Sequence, residues 1–554
     1  MKNRKRREFV VIDAETDGFK RGRIPHPFVW GQWGEDGFHY WNTTDEMIEE
    51  LSELNIIAYA HNGGKFDFHY MLEYLKPHDE IMIINGRIAK FKIGQCEFRD
   101  SWLLMPMPLA GYKKTKIDYG IFEKGEREKA KNRSVILDYL RDDCKYTYDL
   151  LKGFFEKYGQ KLTIASTAMK YWEEIEGKAP RSFNNFYETF KPYYYGGRVE
   201  VFRAGILKGP WKVYDINSAY PFAMMEKHPY GIEYMRFNTI PKEIKGPYFY
   251  NVIAISSGAL PFKTEKGELE FPNDNDPREF FITGWELITG IETKTVKVIK
   301  WVKWFKFFKL KSFSQYVNHF YPLKNESGKR SKDETLTEEE RDEALKENIY
   351  VKFMLNSLYG KFGANPDKYN KFTVYEHEDM ELLLSEEHED NFGGILGPWL
   401  LGQRDLEDSE THYYNVCTSA SITGFVRAYL WRAILAAKNV IYCDTDSLVC
   451  SDVTNDFVIG SELGEWKFEG EFERAGIAGK KLYILQNGNK KDKNNLKFAS
   501  KGGKLSVKEL WIVAAGGEVK FKPESPSFSV HRPPGFIDRV FKPTTKLELE
   551  NEPF

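Results

Sequence analysis

Cysteine is scarce. The 554 residues contain five, Cys96, Cys144, Cys417, Cys443 and Cys450, an odd number with no CxxC pair. This excludes a paired-thiolate zinc knuckle and a disulfide-stapled scaffold, and points to a reducing compartment. Long apolar runs are missing too: none approaches the ~20 residues that span a bilayer. The basic start "MKNRKRR" lacks the following apolar segment of a signal peptide, so a cytoplasmic protein with no membrane partner is expected. Nor is there an excess of either charge, with 80 Lys+Arg against 82 Asp+Glu. The total decides nothing about partners, because nucleic-acid affinity depends on local basic surfaces. Internal repeats and low-complexity tracts are absent as well.

What is present is a globular composition, 42% hydrophobic and 29% charged, in a chain long enough for two to four domains. Residues 1 to about 158 alternate apolar strands with helical stretches, as an α/β domain would. "FVVIDAETDGF" reads as a strand entering a turn. "IIAYAHNGGKFDFHYMLEYL" reads as a strand, a loop and a helix, and "SVILDYLRDDCKYTYDLLKGFFEKY" as a helix of period near 3.6. Thr337 and Glu340 have capping-box spacing, opening a helix expected to continue through "NIYVKFMLNSLYGKFG". "YEHEDMELLLSEEHED", ending in "NFGGILGP", reads as an insertion bounded by turns.

Charge is locally uneven. Lysines 294, 297, 300, 303, 306 and 309 recur every third residue among Trp301, Trp304, Phe305, Phe307 and Phe308. Period three suits neither a one-faced strand nor an amphipathic helix. Two readings stand open: a strand with snorkelling lysines over an aromatic layer, or a surface for nucleic acid or a protein partner.

Carboxylates at strand ends carry the chemistry. "VIYCDTDSLVC" sets Asp444 and Asp446 in an apolar run, where ionised groups are costly without partners, most simply cations. "KVYDINSAYPFAMM" ends a strand at Asp215. Were the two strands neighbours, the three aspartates would converge as oxygen ligands for two magnesium ions, which keep places open for substrate phosphates. Such a site stabilises the attacking and leaving oxygens of an in-line phosphoryl displacement. "KFMLNSLYG" places Lys352, Asn356 and Tyr359 on one helical face, where the lysine can meet a triphosphate.

"DINSAYP", "KFMLNSLYG" and "YCDTDS", in that order, resemble motifs A, B and C of family B DNA polymerases. The resemblance implies Asp215 and Asp446 as metal ligands with Asp444 assisting, and Ile216, Tyr220, Lys352, Asn356 and Tyr359 around the incoming nucleotide. Tyr220 would lie under the sugar, where a ribose 2′-hydroxyl would clash. Ala219 stands where the family often has leucine. The amino-terminal third resembles the proofreading exonuclease motifs: "IDAET" supplies Asp13 and Glu15, "HNGGKFD" supplies Asn62, Phe66 and Asp67, and "YLRDD" supplies Tyr139 and Asp143. Asp142 is read as surface charge. The resemblance further implies a catalytic lysine at Lys114 and single-strand contacts by Thr16, His61, Asn62, Phe66, Tyr70 and Ser101. "YYYGGRVEVF" is similar to the YxGG element, with Tyr194, Gly196 and Gly197, and "GKKLYILQ" to KxY, with Lys481 and Tyr483 on the primer end.

Short length and two extra segments resemble the protein-primed branch found in phages and linear plasmids. The fold implied is multidomain α/β and α+β, an RNase H-like exonuclease followed by a right-hand polymerase with two terminal-protein-region insertions. The division implied is exonuclease 1–158, palm 159–227, terminal-protein region 1 at 228–315, fingers 316–364, terminal-protein region 2 at 365–411, palm 412–503 and thumb 504–554. Two magnesium ions per site, with manganese as substitute, are implied as cofactors. Primer-template DNA, dNTPs, a terminal protein and a single-stranded-DNA-binding protein are implied as partners of a monomer in the host cytoplasm. Rival readings are a nucleic-acid-primed polymerase of the same family, a reverse transcriptase, and a DNA-binding or nuclease protein with a dead polymerase site. Thr445 splits the acidic pair and an exonuclease precedes it, against a reverse transcriptase, and all three palm aspartates and Lys352 are present, against the dead site.

Overall fold

The computed structural model describes residues 7–365, 369–385, 388, 390–404, 413–454, 457–488 and 495–547. Three sheets organise them. The first has ten strands; third from one edge is Phe9–Thr16, which runs parallel to Ile57–Ala60 and antiparallel to Pro27–Gly34. Alternation sends Val11 to the core shared with the helix Ala130–Tyr158, while Val10, Ile12 and Ala14 enter a second core on the other face. Ile136, Leu140, Cys144 and Leu151 form the helix stripe that closes the first core.

The expected helix after Ile57–Ala60 is corrected. "HNGGKFDFHYMLEYL" instead makes three short 3-10 turns, Gly63–Lys65, Asp67–Tyr70 and Leu72–Tyr74. Asn62 is left-handed at φ 68° and Phe66 lies outside the helical region at φ −150°, ψ −84°, so no α-helical ladder can form across them. A side chain at Gly64 would come 2.0 Å from the Ile88 carbonyl oxygen. The glycine lets this turn lie directly against the neighbouring strand.

A four-stranded sheet is ordered Tyr234–Phe237, Val296–Phe307, Phe249–Ser256, Arg278–Thr283. The lysine-rich stretch is therefore a strand. A seven-stranded sheet runs Leu496–Ser500, Leu482–Gln486, Trp466–Gly479, Gly205–Ile216, Ser447–Cys450, Tyr442–Asp444, Val199–Val201. Beside it the helices Ser314–Arg330 and Glu338–Phe362 pair, the latter opened by the Thr337/Glu340 capping box.

The segment read as an insertion at 365–411 joins the first sheet. Tyr369–Tyr375 pairs with Glu80–Ile84, and the hairpin Asp390–Leu396/Trp399–Arg404 continues outward from it. Residues 366–368, 386, 387, 389 and 405–411 of that segment lie outside the described ones, as do 1–6 and 548–554. The carboxy-terminal tail packs back on the amino-terminal part: Val530 joins its second core, and Phe528 meets Phe66, His69 and Tyr70 at ring distances of 5.2, 5.2 and 5.5 Å. Among the described residues no helix is long and apolar enough to cross a membrane.

Candidate active sites

In the seven-stranded sheet Asp215 lies directly opposite Ser447, and Ser447 opposite Asp444. The Ile216 amide donates to the Asp446 carbonyl at 2.8 Å. The sheet thus brings together two carboxylates 231 positions apart in the chain. Burial first, and then the charges of Asp446 and Glu469, push the Asp215 carboxyl up to about 7. Asp446 is also raised, by burial and by Asp444. Asp444 faces a cation instead, with Lys481 Nζ 3.0 Å from Oδ1.

The turn holding these groups is strained. Thr445 has φ 60°, rare for a β-branched residue. Its amide donates to the Arg198 carbonyl at 2.6 Å, and its hydroxyl to Asp444 Oδ1 at 3.1 Å. A side chain at Gly197 would come within 2.7 Å of Thr445, which explains the second glycine of "YYYGGR". Arg198 is buried between Phe271 and Trp431, its guanidinium 4.1 and 4.4 Å from their rings. Sequence reasoning missed this arginine; its only signal was adjacency to the glycines.

Tyr220 and Tyr359 stack with centroids 4.2 Å apart and planes 12° apart. Lys352 and Asn356 are exposed along the same helix. Ala219 is buried, so the departure from leucine falls within the packing beneath Tyr220. A second lysine was missed: Lys324 donates to Ser218 Oγ at 2.6 Å, and burial together with repulsion from Lys352 lowers its pKa. Glu469 was missed also. It sits at a bulge, where pairing jumps from Phe468/Tyr214 to Gly470/Val213, and bulges commonly re-aim side chains beside active sites. Lys481 donates its amide to Tyr442 Oη at 3.0 Å, while the Tyr483 ring packs 4.9 Å from Tyr442. Tyr194, Gly196 and Gly197 lie next to Arg198 on the loop that braces Thr445.

The second cluster lies in the amino-terminal domain. Asp13 and Glu15 share one strand face, and Tyr139 and Asp143 are one helical turn apart. Asp67 comes from the second 3-10 turn. Burial and the Asp143 charge push Asp13 up to about 7, and burial with neighbouring carboxylates raises Glu15 and Asp67 well above the usual range. Lys114 Nζ lies 2.8 Å from Asp143 Oδ2 and over the Tyr139 ring at 5.2 Å. Asp142 turns elsewhere, to Thr115 and Arg141.

Around this cluster, Thr16 and Ser101 are buried, and His61 is held by Ser101 Oγ at 2.9 Å and the Met107 carbonyl at 2.8 Å. Arg87, not singled out from the sequence, bridges Asn62 Oδ1 and Asp100 Oδ2 at 2.8 and 2.7 Å. Phe66 and Tyr70 lie under Phe528.

Among the described residues no group of three or more His, Cys, Asp or Glu side chains makes a ready-made metal cage. The donor sets nonetheless suit hard cations. Asp67 Oδ1 and Asp143 Oδ1 are buried with no partner among the described residues, and the carboxylates repel one another. Magnesium needs only one or two carboxylates when substrate phosphates complete its shell.

The chain is similar to known DNA polymerases. Residues 108–456 match the family "DNA polymerase type B, organellar and viral". The chain is 34% identical to the DNA-directed DNA polymerase of Enterobacteria phage PRD1, over 98% of this chain and 100% of that protein. It is 24% identical to the DNA polymerase of Streptococcus phage Cp-1, covering 79% of each. Its fold is similar to Phi29 DNA polymerase complexed with single-stranded DNA, with TM-score 0.72 and 20% identity over 97% of this chain and 100% of that one. With exonuclease, palm, fingers and thumb in one mixed α/β architecture, the chain belongs to the organellar and viral type B DNA polymerases and is a DNA-directed DNA polymerase.

Proposed function

We propose that this polymerase starts synthesis on a hydroxyl of a terminal protein, continues from a DNA 3′-hydroxyl with strand displacement, and edits with a separate 3′–5′ exonuclease. The observation that carries the synthetic half is Asp215 beside the Asp444–Asp446 turn on adjacent strands. Asp215 and Asp446 would hold two magnesium ions, with manganese as substitute. When bound, these cations supply charge stabilisation to the attacking and leaving oxygens. Lys352 and Lys324 meet the triphosphate, Ile216 and Asn356 border it, and Tyr220 on Tyr359 forms the floor under the sugar and nascent pair. Lys481 orders Asp444 and, with Tyr483, holds the primer end.

For editing, Asp13, Glu15, Asp67 and Asp143 would hold two further ions, with Lys114 and Tyr139 orienting the scissile phosphate. Thr16, His61, Asn62, Phe66, Tyr70 and Ser101 would guide the frayed strand, and Tyr194, Gly196 and Gly197 the template. The parts are assigned as exonuclease 1–158, palm 159–227 and 412–503, fingers 316–364, thumb 504–554, and terminal-protein regions 228–315 and 365–411. The enzyme acts as a monomer in the host cytoplasm.

Incubation with the cognate terminal protein, magnesium and one labelled dNTP tests priming. A covalent protein–nucleotide adduct is expected. Extension of a DNA primer without any adduct would instead assign a nucleic-acid primer.

A further inference from the structure

The period-three lysines acquire a different pattern once folded. In the strand Val296–Phe307, Lys297 pairs with Ile255, Lys300 with Ile253 and Lys303 with Asn251, while Ile299 and Val302 have no partner. Each of these two bulges absorbs one residue, so a spacing of three along the strand becomes two along its neighbour. Lys297, Lys300 and Lys303 therefore share one face. Val298, Trp301 and Trp304 take the other, packed against the main core. Past Lys303 the pairing is regular: Phe305 and Phe307 return to the lysine face, and Lys306 falls on the tryptophan face.

Arg236, opposite Phe305, extends the basic row. Lys297 and Lys300 are exposed and Lys303 half-exposed, and among the described residues none of the three is seen in an ion pair. Glu279, opposite Ile253, is the acidic side chain facing them from the paired strand. The far end of this face is roofed by Tyr193, 5.1 Å from Phe249 and 5.5 Å from Phe281 and the first residue of the "YYYGG" segment that leads to the brace on Thr445. The row thus leads away from the palm centre.

We propose that this face is a track for the phosphate backbone of duplex DNA. Successive lysines stand about 6.8 Å apart, at ~3.4 Å per residue of the paired strand. Each strand of a duplex carries one phosphate per ~3.4 Å of axis, a density that lets three lysines spread over about 14 Å each take a phosphate. A single-stranded ligand fits less well, because it is held by stacking on exposed aromatic rings. On this face Phe249, Phe305 and Phe307 are buried, and Tyr234, the exposed ring opposite Phe307, is engaged edge-on with Phe190 and Phe305. The residues paired with the lysines are aliphatic or amide, Ile253, Ile255 and Asn251.

The inference rests on the chain's acting on primer-template DNA, and the test keeps the two apart. Duplex affinity of the full chain is measured across a salt series for the wild type, for Lys297→Ala/Lys300→Ala/Lys303→Ala, and for Lys306→Ala. The triple variant is expected to flatten the slope of log K against log salt by about 2.7, at ~0.9 per lost phosphate contact, with its melting temperature unchanged. Lys306→Ala should keep the wild-type slope, although the sequence pattern treats it as equivalent. An unchanged duplex slope in the triple variant overturns the track, as does an equal change in Lys306→Ala. Wild-type protein unable to extend a DNA primer would instead overturn the polymerase reading.

Discussion

The two carboxylate centres solve the same electrostatic problem differently. In the amino-terminal centre Glu15, Asp67 and Asp143 are all under a tenth exposed, and a single lysine, Lys114, reaches in. In the palm Asp215, Asp444 and Asp446 are half-buried on a strand end and a hairpin turn, within the field of Lys324, Lys467, Lys481 and Lys497. A buried, under-neutralised cluster suits a reaction that brings in one phosphodiester. An open centre with surplus cations suits an incoming triphosphate, whose negative charge adds to that of the carboxylates holding the metal ions.

The sharpest break in this comparison comes from the lysines. Lys352→Ala should lower kcat/KM for dNTP by about 100- to 1000-fold, about 2.7–4 kcal/mol, with single-strand degradation unchanged. Lys114→Ala should do the reverse. Steady-state extension and degradation assays on each protein check both arms. Next in size, Tyr220→Val should remove the sugar floor and reduce discrimination against ribonucleotides by roughly 10- to 100-fold, read from competing dNTP and rNTP incorporation.

A smaller effect is expected at the tail. Phe528→Ala removes the ring that covers Phe66 and Tyr70 and should slow degradation of single strands by about tenfold, ~1.4 kcal/mol, while extension from a paired primer is retained. Smallest is a shift in melting temperature. Asp13 and Asp215 are each raised from 3.8 to about 7 in the fold. The folded protein therefore holds protons that the unfolded chain has released between about pH 4 and 7, and metal-free stability is lost as pH rises through that window. Divalent cations should restore it, so the gain in melting temperature on adding magnesium should be larger at pH 8 than at pH 5, by a few degrees.

Much of this was legible before folding, where chemistry is local. The strand-end aspartates, the 352/356/359 face and the 337/340 capping box each follow from spacing within one element. What was hidden depends on pairing between distant segments. The lysine period made sense only with the bulges at Ile299 and Val302, which no periodicity announces. Tyr369–Tyr375 joins a sheet whose partner strand lies near residue 80. Lys324, Glu469 and Phe528 reach their sites through packing, and the helix expected after His61 gave way to turns because Gly64 must lie against Ile88.

The central claim is that two carboxylate centres act separately, one building DNA and one trimming it. Paired assays of primer extension and single-strand degradation on Asp446→Ala and Asp13→Ala test it most directly. The account predicts that Asp446→Ala abolishes extension and keeps degradation, and that Asp13→Ala does the opposite. Loss of both activities from either substitution, in protein that still melts cooperatively at the wild-type temperature, would contradict it.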